Sequence, residues 1–197
     1  QGLTTPYTVA VDINGNEQNG TGILALSTFG PITAGAGYFN NQNIDTNISN
    51  ANFNPGLLGS VVRVGASSLG INGGEDLYVA TVQGDLDFVK LEAWYLGHQE
   101  NFNTYTLAAT SNIDLAENAK IGLEARYVNL KLDSDTGFTG DERDNAMFRL
   151  AVDGKVSIVN ARLAYTQTDK NGGLTAVDQD AKNTSLGWFI TSNGVPD

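Results

Sequence analysis

Along most of this chain apolar and polar side chains alternate one by one, the period of a β-strand with two unlike faces. The alternation predicts strands over 6–13, 22–29, 32–39, 76–83, 86–97, 103–113, 119–131, 145–153, 156–167 and 183–192. No segment carries the period of an amphipathic helix. Several of these strands run to about 10 to 12 residues, whereas strands of soluble domains centre on about 5 to 6 and a tilted membrane-crossing strand needs about 9 to 11. Strand length therefore favours a membrane.

The stretch RLAVDGKVSIVNARLAY, Arg149 to Tyr165, reads as a hairpin turning at Asp153-Gly154, a dipeptide that readily supplies positive φ angles. Pairing outward from that turn sets Val152 against Lys155, Leu150 against Ser157, Phe148 against Val159 and Ala146 against Ala161 on one face, with Leu163 and Tyr165 further along it. Met147, Arg149, Asn160 and Arg162 take the other. In 119–131 the apolar set Ile121, Leu123, Ala125 and Tyr127 opposes Lys120, Glu124 and Arg126; in 86–97 Val89, Leu91, Ala93 and Tyr95 oppose Lys90, Glu92 and Trp94. Either the apolar face covers a core and the charged face is the solvated exterior of a sandwich, or the apolar face meets lipid. In the second case Lys90, Glu92, Lys120, Glu124, Arg126, Arg149, Asn160 and Arg162 line a wet lumen.

The connections help to choose. Tight ones (FGP at 29–31, QGD at 83–85, LAENA at 115–119, DG at 153–154) mostly alternate with long polar ones (14–21, 133–144, 168–183). Outer-membrane barrels pair short periplasmic turns with longer extracellular loops in this way. If the turns near 30 and 84 lie at the same end, an even number of crossings separates them, and 32–39 and 76–83 supply two. Residues 40–75 then form one long extracellular excursion, part of it folded inward to narrow a channel. Its apolar patch (Leu57, Leu58, Val61, Val62, Val64) can pack on the wall, and its charges include Asp45, Arg63, Glu75 and Asp76. The other reading makes 59–68 a true strand and misplaces one turn.

Composition narrows the function classes. Cysteine is absent, which excludes disulfides and thiolate metal sites. A net charge of −11 disfavours nucleic acid, which needs a basic surface, and favours cations. No apolar run reaches the length of a transmembrane helix. The tyrosines Tyr7, Tyr38, Tyr78, Tyr95, Tyr127 and Tyr165, with Trp188, sit near strand ends, where membrane interfaces favour amphipathic rings. His98, the one histidine, reads as a polar surface residue of a loop. In DSDTGFTGDERD, Asp133, Asp135, Asp141 and Asp144 suggest calcium, yet Phe138 stands where an EF-hand needs glycine; a hydrated acidic loop is the expectation. No nucleophile elbow or phosphate-binding loop appears. Both ends look like interior sequence, so a longer chain is expected.

The stretches NIDLAENAKIGLEARYVNLKL, DLYVATVQGDLDFVKLEAWYLG and NARLAYTQTDKNGG resemble strand-turn-strand units of the major outer-membrane porins of Campylobacter-like bacteria. The resemblance implies a large trimeric barrel for passive diffusion, with one loop narrowing the channel and, in similar members, a calcium ion there. The chain departs from that pattern in being about half as long and in lacking a terminal aromatic residue.

The expectation is thus an all-β, antiparallel transmembrane β-barrel, porin-like, with 1–197 a single domain or a portion of a barrel of about 16 to 18 strands. It would sit in a bacterial outer membrane against lipid and lipopolysaccharide, as a homotrimer, passing ions and small hydrophilic solutes with a preference for cations. No chemical step and no cofactor are expected, calcium being the single candidate. The alternatives are a soluble all-β surface or adhesion module and, more weakly, an all-β hydrolase.

Overall fold

The computed structural model describes residues 5–6, 19–42, 74–100, 102–134 and 140–169. Among them eight strands follow one another as a simple antiparallel meander: β1 (Gly20–Phe29), β2 (Ile32–Gln42), β3 (Leu77–Leu86), β4 (Val89–His98), β5 (Phe102–Ala116), β6 (Ala119–Leu132), β7 (Asp144–Val156) and β8 (Val159–Thr168). Each pairs with its sequence neighbours, and β1 and β8 are not paired with each other, so the sheet is open among the described residues. No described helix is long and apolar enough to cross a membrane. The predicted strands at 6–13 and 183–192 lie outside the described residues or, for Pro6, in a turn.

Alternate connections of a meander fall at the same end. Residues 30–31, 87–88, 117–118 and 157–158 make the tight end. There, turns are tied to their neighbours: the Asp85 N–H, near the end of β3, donates to the Pro31 carbonyl at 2.8 Å, and the Ser157 N–H to the Asn118 carbonyl at 2.7 Å. The opposite end holds the long connections 43–76 and 133–143, but also the three residues 99–101, turned by Glu100 at φ 58°. The loop asymmetry is therefore not complete.

Two predicted turns are corrected. QGD at 83–85 lies in or at the end of β3, with the turn at Asp87-Phe88; Asp153-Gly154 lies within β7, with the turn at Ser157-Ile158 and Ser157 at φ 55°. The local preference of Asp-Gly loses to the pairs gained by a longer hairpin: Asp153 meets Arg162, Lys155 meets Asn160 and Val156 meets Val159. The turn moves by four residues but still spans two, so even positions of β7 still meet odd positions of β8 and facing is preserved although every partner changes. Lys155 is the exception, since it leaves the apolar set to join the charged face.

The faces are inverted relative to a soluble protein. Phe148, Leu150, Val152, Val159, Leu163 and Tyr165 share one face with Ile23, Val82, Leu107 and Leu123, all of them exposed, up to 77% for Leu163. Glu124, Arg126 and Arg149 on the other face are buried, at 8%, 4% and 4% exposure. A sandwich closed over its apolar face would show the reverse. At the edge, a bulge between Thr21 and Gly22 needs glycine, because a Cβ at Gly22 would collide with the Tyr38 backbone.

Candidate functional site

The charged face is organised in rungs, because residues directly opposite across antiparallel strands point the same way. One rung runs Thr28, Thr33, Gln83, Glu92, Ala108, Arg126, Arg149 and Thr166. Nearer the tight turns come Lys90, Thr110, Glu124 and Ala151, then Asn112, Gly122, Asp153 and Arg162, then Asp114, Lys120, Lys155 and Asn160. All eight residues expected on a polar wall, Lys90, Glu92, Lys120, Glu124, Arg126, Arg149, Asn160 and Arg162, therefore occupy this one face.

Glu124 is its electrostatic centre. Its Oε2 accepts a hydrogen bond from Arg162 Nη2 at 3.0 Å, and its Oε1 lies 3.6 Å from Arg126 Nε and 3.7 Å from Arg149 Nε. Three guanidiniums, carried by β6, β7 and β8, thus converge on one carboxylate. Arg162 also reaches Asp153 at 3.3 Å. Elsewhere on the face Lys90 pairs with Glu92 at 3.7 Å, Trp94 Nε1 donates to Glu92 at 3.2 Å, and Lys120 pairs with Asp114 at 2.9 Å. Toward the tight turns the face opens into a depression of about 780 Å³ whose lining includes Asp114, Lys120, Asp153, Lys155 and Arg162.

Toward the long connections the same face changes character. Phe39, Leu77, Leu96, Phe102, Leu130 and Leu132 are all essentially inaccessible. His98 belongs to this end and is corrected from a surface loop residue: it closes β4, is 3% exposed, packs its ring 5.7 Å from that of Phe102, and brings Nδ1 to 3.5 Å from Glu75. Asp76, next to it, accepts hydrogen bonds from the hydroxyls of Tyr38 at 3.0 Å and Tyr78 at 3.1 Å, whose rings lie 5.5 Å apart. Glu75 and Asp76 thus sit at the foot of β3, clear of the Glu124 cluster. Asp45 and Arg63 lie outside the described residues.

Sequence reasoning missed Asp153, Lys155 and the apolar end. Alternation continued through Val152, Gly154 and Val156 was the signal for the first two. In the described part of the acidic loop Asp144 lies 3.5 Å from the Lys131 ammonium, and Arg143 donates to the Leu132 carbonyl at 2.9 Å. Asp135 lies outside the described residues.

No protein-family model and no curated protein matches the chain. Solved structures do. OccAB2 of Acinetobacter baumannii aligns with 98% of this chain and 48% of its own at 17% identity, with a TM-score of 0.66. For OpdL of Pseudomonas aeruginosa the values are 84%, 42%, 12% and 0.63. For OprD of the same organism, described as an outer membrane protein, they are 85%, 38%, 15% and 0.60. The fold is that of a porin barrel wall. The chain spans 38% to 48% of the length of these three porins, so it accounts for a portion of such a barrel. These neighbours come from Pseudomonas and Acinetobacter, and they support the porin architecture rather than the Campylobacter-like class in particular.

Proposed function

We propose that this chain forms part of the wall of a water-filled barrel in the outer membrane of a Gram-negative bacterium, through which ions and small hydrophilic solutes diffuse without a chemical step. The observation that carries this reading is the inverted burial, with Glu124, Arg126 and Arg149 sheltered while Ile23, Leu163 and Val159 are exposed. In lipid every backbone group needs a partner, so further strands would pair with the open edges of β1 and β8 to close the barrel. The exposed face then meets lipid and lipopolysaccharide and, in a homotrimer, a neighbouring copy.

The excess of acidic residues, −11 over the chain, supports a preference for cations. Because the described polar face is rich in arginine, that preference would be set by the acidic loops. An inward fold of residues 40–75 is supported by the apolar end of the polar face, where Phe39, Leu77, Leu96 and Phe102 are buried. Planar-bilayer recording of the purified detergent-soluble protein tests the reading. Stepwise ohmic conductance is expected, larger for K⁺ than for Cl⁻. Correctly folded protein that never conducts would overturn it.

A further inference from the structure

We propose that the depression at the tight-turn end of the polar face is a binding station for the phosphate dianion, held between the ammonium groups of Lys120 and Lys155. The proposal rests on the channel reading and adds to it a solute that this part of the wall retains in passing.

The observation that carries it is a like-charge pair served by a single carboxylate. Lys120 stands directly opposite Lys155 across the β6–β7 ladder, and both line the depression of about 780 Å³. Like charges so placed repel. Lys120 reaches Asp114 at 2.9 Å, whereas Lys155 makes no ion pair among the described residues. The Lys120–Asp114 pair is itself exposed, at 59% and 69% of its side chains, and an exposed pair holds its members weakly. The Lys120 ammonium is therefore free to turn toward an anion lodged beside Lys155. On the other side of Lys155, directly opposite it across β7–β8, stands Asn160. Its amide makes no side-chain hydrogen bond among the described residues and offers two N–H donors. Gly122 keeps the depression open, because a Cβ there would come within 3.3 Å of both the Asn112 amide oxygen and the Asp153 Cβ.

The donor set selects the ligand. A carboxylate is best matched by the planar fork of a guanidinium, but the guanidinium lining this depression, Arg162, is engaged by Glu124 at 3.0 Å and by Asp153 at 3.3 Å. What remains is two ammoniums and an amide. Ammoniums act as compact point charges and suit phosphate in that role. Two of them on one rung call for two negative charges on one small centre. A phosphate group carries nearly that at neutral pH; a dicarboxylate holds its charges apart. In a chain of net charge −11, the lysine pair gives phosphate a foothold that the overall acidic balance does not.

The test is the block of chloride current through the full-length channel by inorganic phosphate. Phosphorus NMR line broadening of phosphate by the detergent-soluble protein runs beside it and reads binding without conduction. Lys155→Gln should raise the half-blocking concentration by about tenfold or more, the loss of one charge-assisted contact. Lys155→Arg, which keeps the charge, should retain most of the block. Asp114→Asn releases Lys120 and should lower the half-blocking concentration. Lys131→Gln, on the opposite face of β6, should leave it unchanged. A conducting channel that phosphate blocks no better than succinate, or equally well in the wild type and Lys155→Gln, would overturn the site and leave the channel reading intact. Phosphate broadened by folded wild-type protein and not by Lys155→Gln, with no conductance from either, would keep the site and overturn the channel reading.

Discussion

Arg126 stands directly opposite Arg149 across the β6–β7 ladder. Like charges in that position destabilise a strand pair, and here the carboxylate of Glu124, on the neighbouring rung, lies between their Nε atoms. Glu124→Ala should therefore destabilise the protein. Breaking a buried ion pair costs about 3–5 kcal/mol in a dry interior, and water in a lumen should reduce this to about 1–3 kcal/mol. Urea unfolding in lipid vesicles measures it. Adding Arg126→Gln should recover part of the loss, since the two changes act on one cluster.

The exposed apolar face predicts a strong asymmetry along β8. Leu163→Arg should cost about 2–4 kcal/mol if residue 163 lies near the bilayer midplane. Asn160→Arg, on the polar face, should cost far less in the same unfolding assay. Equal costs would mean that the two faces of β8 meet the same solvent.

The position of the last turn can be checked through two glycines. Gly154 lies in mid-strand, where an added Cβ would come no closer than 3.9 Å to any atom beyond its chain neighbours, at the Ala161 carbonyl oxygen. Gly154→Ala should thus stabilise by about 0.5–1 kcal/mol. Gly30, at φ 57° in a true turn, is the contrast: Gly30→Ala should cost about 1–2 kcal/mol. A clear loss for Gly154→Ala would return the turn to 153–154.

On intact cells, a protease site inserted at 135–139 should be cut, whereas the same site inserted at 117–118 or 157–158 should be protected. Cutting at the tight turns alone would reverse the orientation of the sheet.

Much of this was legible in the alternation itself. The facing of Arg149, Asn160 and Arg162 against Phe148, Leu150 and Leu163 survived a misplaced turn because the true turn also spans two residues, so that even positions of β7 still meet odd positions of β8. The turn was misplaced because Asp-Gly is a strong local signal, and strand length, set by nonlocal pairing, overrode it. The convergence of Arg162 on Glu124 was not legible. It depends on the register of β7 and β8, and the two residues lie 38 apart in sequence. His98 was misread for a similar reason, since its burial comes from Phe102 and the other apolar residues gathered at the long-connection end by the register of several strands.

The most direct test of an inside-out wall uses the absence of native cysteine. Single cysteines placed in turn at residues 159 to 166 of β8, in protein reconstituted into vesicles, can be probed with a small membrane-impermeant thiol reagent. The account predicts that N160C, R162C, A164C and T166C react while V159C, A161C, L163C and Y165C stay protected. Uniform reactivity, or protection of the even positions and labelling of the odd ones, would contradict it.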